Sequence, residues 1–459
     1  MTLVFFYNKY IMKKKPVVLI VECLSSSINY LKDLEKRGYQ AAVLESPIIR
    51  KNQPAWYSYD LFGAKQPIIL SRKERYEDTL KEVKKLNPIL IVTGADHGLE
   101  LCLRLSQDLG LVNNKLENLP KMRDKFVSQE TLKKAGIRYI ESVRYTTMAA
   151  ALKFFKKHNN KIIVKPAKGV SSIGVSVCTS QNQLRKSIAL ARSKKNYSVT
   201  NKQPILQEFI DGEEYIVDTV SSNGKIKVSS IYHYHKKFIP GYAPVYSWTT
   251  SHSPYEKEIK LIVDYALKVV KAVGVEWGPV HGEYKVDAKG PVLIETNCRI
   301  PGGSMPNTFL DTLWGHHETD MVLDAYLEPK KFAKYDRLIK PKAFGILKHI
   351  ILDKPIYIRK VTPEKAFKGI ESFMSFNMGF DAAAKNRWLY KTINYETSGG
   401  NIFLANKNQK HLFADLDLIT EIEHHHLERL YDIAKPPKHR THKILLRELV
   451  NEKTAKKAK

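Results

Sequence analysis

The chain has 459 residues, which at roughly 100–200 residues per domain predicts about three domains. Hydrophobic residues make up 43% and charged residues 27%, so a sizeable core is expected and wholesale disorder is excluded. The formal net charge is +28, from 75 Lys and Arg against 47 Asp and Glu, which leaves two readings open: an anionic partner or a generally basic surface.

The opening MTLVFFYNKYIMKKKP carries a short apolar run followed by its basic cluster, with no small-residue cleavage site. Residues 1–15 therefore read as an N-terminal extension ahead of a second start at Met12. VVLIV at 17–21 predicts a buried strand, ended by the serines at 25–27. A helical pattern closing at Gly38, a strand at 41–45 and a strand ILIVTG at 89–94 follow. Strands alternating with helices predict a parallel α/β domain with its ligand end at the strand C-termini. A Gly-rich dinucleotide fingerprint is missing after the first strand, so NAD is not assigned.

KMRDKFVSQETLKKAG at 121–136 predicts one helix with a glycine cap. Strands are expected at 162–165, 174–178 and 204–210, then EYIVDTV and KIKVSSIY around Asn223-Gly224, a helix at about 255–273, and a hairpin of 279–287 with 291–296 around Lys289-Gly290. From 341 short strands and polar turns predict a separate α+β segment, and the Lys-rich end after 434 reads as a solvated tail.

Between two of these strands lies Lys165-Pro-Ala-Lys-Gly-Val-Ser-Ser-Ile-Gly-Val-Ser. Small residues let backbone N–H groups approach phosphate oxygens, and a strand-end lysine adds a point charge. Gly169 and Gly174 have the outer spacing of a P-loop, but Val175-Ser176 stand where Lys and Ser/Thr belong and a strand follows, so this is not a Walker site. On these residues alone an ordinary hairpin turn is an equal reading. Further on, Glu283 and Glu295 occupy adjacent hairpin strands, and Asn297 shares a strand face with Glu295. Oxygen donors suit Mg²⁺ better than zinc. Val292, Leu293 and Ile294 make this a core strand, where an unpaired carboxylate is costly. Arg299 continues the same face, and its fork suits a carboxylate or phosphate, or else a salt bridge to one of the glutamates.

KPAKGVSSIGVS, QEFIDGEEY, HGEYKV and ETNCRIPGG, in that order, resemble the ATP-grasp superfamily, in particular its L-amino acid (dipeptide) ligases. The resemblance spans about 120–310; beyond 340 it rests on TSGGNIFLANKN alone. It implies an α/β and α+β multidomain protein: a Rossmann-like parallel α/β domain (16–115), an ATP-grasp small lobe (116–205), a large lobe with the metal site (206–340), a C-terminal α+β segment (341–434) and a basic tail (435–459). The two lobes would grip ATP. By resemblance, Lys125, Lys165, Ser171, Ser172 and Gly174 reach the phosphates; Gln207, Glu208 and Ile210 line the adenine; Glu214 takes the ribose. Glu283, Glu295 and Asn297 would hold Mg²⁺, with Mn²⁺ as an alternative. Lys165, Glu295 and Arg299 would be catalytic, and Arg299, Gly302, Gly303 and His281 would contact substrate. A solvated turn at Glu213-Glu214 and a packed, satisfied His281 remain the plainer readings.

The implied activity is ATP-dependent joining of a small carboxylate to an amine through an acyl phosphate. An ATP-grasp enzyme with another acceptor (bicarbonate, a thiol or a protein side chain) and a non-catalytic nucleotide-binding protein stay open. Basic residues are spread without an aromatic-interleaved patch, so nucleic acid is not the expected partner despite the charge. No stretch reaches the ~18 apolar residues of a membrane span. Cys23, Cys102, Cys178 and Cys298 form no CxxC pair, so a reducing cytoplasm is the simplest compartment. A homodimer is left open. His316-His317 and the run 424–426 carry little weight as metal sites, because consecutive helix residues point apart.

Overall fold

The computed structural model describes residues 15–52, 59, 64–167, 175–193, 195–196, 199–200, 203–239, 244–378 and 388–435. The extension before Lys15, the tail beyond Lys435, and Ser171, Ser172 and Gly174 lie outside the described residues.

The first module is built on β1 (Val17–Val21), with α1 (Asn29–Lys36), β2 (Gln40–Glu45), β3 (Ile68–Ser71), α2 (Tyr76–Leu86), β4 (Leu90–Thr93) and α3 (Leu99–Asp108). The four strands are parallel in the order β3-β2-β1-β4. β1 is buried on both faces, which is why it reads as an unbroken apolar run. Val17, Leu19 and Val21 pack with Val83 and Leu105, while Val18 and Ile20 pack with Leu31, Leu34, Met321 and Val322. The second set includes a helix from much later in the chain, so the module shares a core with the rest of the protein.

The next module has α4 (Leu119–Arg123), α5 (Lys125–Lys134), β5 (Ser142–Arg144), α6 (Met148–Lys157), β6 (Ile162–Lys165), β7 (Ser176–Cys178), α7 (Gln181–Ser193) and β8 (Ile205–Glu208). Its sheet is antiparallel, in the order β5-β8-β6-β7. The single helix expected at 121–136 is two. Asp124 leaves the helical region (φ −95°, ψ 111°), and its carboxylate accepts the N–H groups of Phe126 and Val127, capping α5. The strand expected at 204–210 ends at Glu208.

The third module holds β9 (Glu213–Ser222), β10 (Lys225–Lys237), β11 (Val245–Ser251), α8 (Lys257–Val273), β12 (Gly278–Asp287), β13 (Gly290–Asn297), α9 (Asn307–Trp314) and α10 (Glu318–Leu327). Asn223 and Gly224 both have positive φ, which the tight β9–β10 turn requires. Chain alternation puts Glu214, Ile216 and Asp218 of β9, Tyr232 and Tyr234 of β10, and His281 and Glu283 of β12 on one face. α8 covers the other face, where Tyr265 meets Tyr284 edge-on at 5.9 Å.

The stretch after 341 is not set apart from this sheet. β14 (Phe344–His349), β15 (Ile356–Val361), β16 (Phe373–Asn377), β17 (Asn401–Asn406) and α11 (Gln409–His425) follow, and three of these strands extend it to the order β13-β12-β9-β10-β11-β14-β17-β16. Thr249 of β11 pairs with Leu347 of β14. The exposed edge of β11 takes up β14, a pairing that local sequence pattern does not encode.

No helix among the described residues is long and apolar enough to cross a membrane. The first module is clamped to α10 by charge. Arg37 bonds Asp320 at 2.5 Å, Asp324 at 2.6 Å and Glu328 at 2.8 Å. His317 bridges Asp33 (3.1 Å) and Asp311 (2.7 Å). Asp324 is wholly buried and is also held by Lys331 at 3.0 Å and the Tyr335 hydroxyl at 2.7 Å, so removing Arg37 takes away one of three partners. Arg37→Ala should cost about 1.5–3 kcal/mol. Glu328→Ala, at the exposed partner, should cost under about 1 kcal/mol. Urea unfolding midpoints check the contrast; equal shifts would count against the clamp.

Candidate active site

The site forms where α5, the end of β6 and the β12–β13 hairpin meet. Gln129 on α5 fixes the first contact: its amide donates to the Leu293 carbonyl at 2.8 Å and accepts from Ile140 N–H at 2.8 Å. The Lys125 N–H donates to the Ala167 carbonyl at 3.2 Å, bringing the start of α5 beside the segment that enters the Gly/Ser loop. Lys125 and Lys165 thus lie over the same hairpin.

On that hairpin Glu283 and Glu295 are direct cross-strand partners. Lys125 Nζ sits 2.6 Å from Glu295 Oε2, and Asn297 Nδ2 donates to Glu295 Oε1 at 3.2 Å. Burial alone would raise the pKa of Glu295, but the Lys125 ammonium, with Lys165 and Asn297, holds it below the ordinary carboxylate range. Glu283 goes the other way: burial and the facing Glu295 charge push it up, against a smaller opposing effect from His281. Burial and the like charge of Lys125 bring Lys165 down to about 8, although Glu295, Glu283 and Glu214 pull upward.

His281 does not face open space as a substrate contact would. It is buried, with Nδ1 bonded to Asp218 at 2.7 Å and Nε2 3.6 Å from Glu283 Oε1. Burial opposes its charge, but Asp218 outweighs burial and lifts it to about 9. It is therefore a packed, charged support behind Glu283. Asp218 is held in turn by the Ser230 hydroxyl at 2.6 Å.

Arg299 pairs with neither glutamate. Its Nε donates to Asp96 at 2.9 Å and its Nη1 to the Ile300 carbonyl at 3.0 Å. Asp96 follows β4 in the first module, at the strand end where open α/β sheets bind ligands. The nearby 301–304 loop is tied to the same module. Gly303 N–H donates to Ser25 Oγ at 3.2 Å and Ser304 N–H to Ser26 Oγ at 3.0 Å. Those two N–H groups are thus occupied by serine hydroxyls.

The remaining expected residues fall near the same cleft. Ile210 packs with Ile140, Val292 and Ile294 in a small apolar cluster suited to a flat ring. Lys285 Nζ donates to the Ile210 carbonyl at 3.1 Å. Gln207 points inward to Ser142 at 2.8 Å, so its side chain is committed to the sheet. Glu208 N–H donates to the Glu141 carbonyl at 2.9 Å. Glu214 is ion-paired with Lys236 at 2.7 Å and lies on the face that carries Glu283. Sequence reasoning missed Asp96 and Asp218. Asp96 carried a signal, a polar pair between Gly94 and Gly98 just after a buried parallel strand; Asp218 inside an apolar strand carried almost none.

The donor set fits a hard divalent cation. Two facing, half-buried carboxylates repel, and the one with no lysine beside it has a raised pKa. Among the described residues no cluster of three or more His, Cys, Asp or Glu side chains can hold a metal alone. The arrangement suits an ion that takes further ligands from phosphate oxygens.

Comparison with known proteins bears on the domain and the fold. Residues 158–307 match the model of the ATP-grasp domain. The chain thus carries a stretch that matches the ATP-grasp domain, and the proteins it is similar to include ligases. It is 23% identical over 380 residues to dapdiamide A synthase of Enterobacter agglomerans, covering 80% of this chain and 87% of that protein. It is 25% identical over 372 residues to alanine–anticapsin ligase of Bacillus subtilis (strain 168), covering 72% and 77%. In fold it is similar to the L-amino acid ligase from Bacillus licheniformis, with TM-score 0.70 and 17% identity over 93% of this chain and 100% of that one.

The depressed pKa of Lys165 gives a pH prediction. In the free protein its ammonium is charged below about pH 8 and neutral above it. Phosphates favour the charged form. ADP affinity should therefore be flat below about pH 8 and fall by up to about tenfold per unit above it, until the pKa of the complex is reached. Calorimetric titration from pH 7 to 10 reads this, and Lys165→Met should remove the slope. An identical slope in both proteins would sink the assignment.

Proposed function

We propose that the protein is an ATP-dependent carboxylate–amine ligase. It would form an amide or peptide bond through an acyl phosphate, releasing ADP and phosphate, and act on amino acids or similar small carboxylates. The observation that carries this reading is the convergence of Lys125, Lys165, Glu283, Glu295 and Asn297 below the segment leading into the Gly/Ser loop, with Arg299 alongside. The names of dapdiamide A synthase and alanine–anticapsin ligase support amino-acid-like substrates.

In this reading a carboxylate oxygen of the first substrate attacks the γ-phosphorus of ATP and ADP leaves. The amine nitrogen of the second then attacks the acyl carbon, phosphate leaves, and the amine proton passes to solvent. Magnesium, with manganese as an alternative, would be held by Glu283, Glu295 and Asn297 and would neutralise phosphate charge. Lys125 and Lys165 place positive charge where the phosphoryl group moves, and Arg299 orients the anionic substrate. His281 and Asp218 keep Glu283 in place. Ser171, Ser172 and Gly174 would cover the phosphates and keep water from the acyl phosphate. Glu214 would receive the ribose, and Gly302 and Gly303 would lie along the substrate. The four cysteines are buried and unpaired, in keeping with a cytoplasmic setting.

Phosphate release from ATP, measured across amino acids singly and in pairs with mass spectrometry of products, tests the proposal. Glu295→Gln and Lys165→Ala should each lower turnover at least about 100-fold while the proteins stay folded. Near-normal turnover in either variant would show that the site is misassigned.

A further inference from the structure

The sheet face that carries the glutamates continues past them into a wall of rings. Tyr246 lies on β11 opposite Lys236, which pairs at 2.7 Å with Glu214 on the face that carries Glu283. Its ring meets Tyr234 edge-on at 4.7 Å, His349 at 6.1 Å and Tyr395 at 6.2 Å. His349 and Tyr395 meet edge-on at 5.5 Å. His349 is buried and uncharged: burial holds it down at about 4, and its Nδ1 bonds Asn401 at 2.8 Å. The three tyrosines are half-buried rather than sealed in the core.

The glycine loop after Arg299 faces this wall. A Cβ on Gly303 would lie 3.1 Å from the Tyr395 hydroxyl, while one on Gly302 would meet nothing within 4 Å. Asn377 Nδ2 donates to the Ser304 carbonyl at 3.5 Å, so the far end of the sheet touches the loop as well. Gly302 is exposed, so the loop is open there, while Gly303 closes against Tyr395. The charge that reaches the wall, the Lys236 ammonium 4.7 Å from the Tyr246 ring centre, is already paired with Glu214. An acidic side chain entering here would lose water and meet Glu214, Glu283 and Glu295 as like charges. An aromatic one would gain edge-to-face contacts and apolar burial.

We propose that Tyr234, Tyr246, His349 and Tyr395 form the specificity pocket of the acyl donor, and that it selects an amino acid with an aromatic side chain. The inference rests on the ligase reading and adds which substrate the site prefers and in which position.

The test uses the full-length protein with ATP, Mg²⁺ and phenylalanine, tyrosine, tryptophan, leucine, alanine, glutamate or lysine as donor, against a common set of acceptors. Aromatic donors should exceed alanine by roughly tenfold or more in kcat/KM, and product sequencing by mass spectrometry should find the aromatic residue at the amino-terminal position. Tyr246→Leu and the milder Tyr395→Phe should each shrink that ratio, while ADP affinity, read by titration, stays as in the wild type. Preference for an aliphatic, acidic or basic donor, an aromatic residue only at the carboxyl-terminal position, or an unchanged ratio in both variants would overturn the pocket. If every donor fails to release phosphate, the ligase reading itself falls and the pocket with it.

Discussion

Two half-buried carboxylates placed face to face on adjacent strands repel, and the rest of the site is organised around that repulsion. Glu283 and Glu295 are held in register by the β12–β13 hairpin and cannot separate without breaking the ladder. Their surroundings differ in sign. Glu295 has Lys125 at 2.6 Å and is driven towards its charged form, while Glu283 has the imidazolium of His281 only at 3.6 Å and is driven towards its neutral one. The pair therefore presents uneven negative charge to whatever lies above it. A divalent cation held here would relieve what one lysine does not.

This tension is tolerable because rigid parts of the chain surround it. α5 is capped at Asp124 and pinned to β13 through Gln129. The first module is clamped to α10 by Arg37 and His317 and reaches the cleft with Asp96 and the serines at 25 and 26. Apart from asparagines, the non-glycine residues with positive φ among those described are Glu22, Ser25 and Ser304, at 59°, 56° and 50°. Ser25 and Ser304 meet, with their hydroxyls 3.3 Å apart, and Glu22 lies three residues before Ser25. Backbone strain of this kind persists only where surrounding contacts enforce it, and it gathers at the junction that sets the position of Arg299.

Much of this was legible from local pattern. The strands of the hairpin, the Glu–x–Asn spacing and the strand-end Lys165 are short-range features, and period-two alternation was enough to place Glu295 and Asn297 on one face. The partners lying far away in sequence were not. Arg299 reads as a match for a glutamate four residues back, yet its partner is Asp96, 203 positions earlier. His281 shares a face with Glu283, and of its two readings, substrate contact or packed histidine, the ring's bond to Asp218 on the neighbouring strand fits the second, with a partner that local pattern does not reveal. The pairing of β11 with β14 was hidden for the same reason: an open strand edge has no local signature of what will cover it. The break at Asp124 was readable in principle, since an aspartate two residues before the apolar Phe126 and Val127 is a capping signal.

The Asp96–Arg299 pair shows why the missing long-range information matters for function. The guanidinium uses Nε on Asp96 and Nη1 on the Ile300 carbonyl, and among the described residues nothing takes Nη2. An anion can approach that open edge without the pair having to break, because the planar fork offers several donors in fixed directions. Asp96 then serves as a rudder, setting the plane in which Arg299 presents its free edge. Since Asp96 belongs to the first module, the docking of that module on α10 bears on how Arg299 is held. The Arg37 clamp and the Asp96–Arg299 pair both join the first module to the later chain, so the parallel α/β module contributes to the candidate site while lying outside the ATP-grasp match itself.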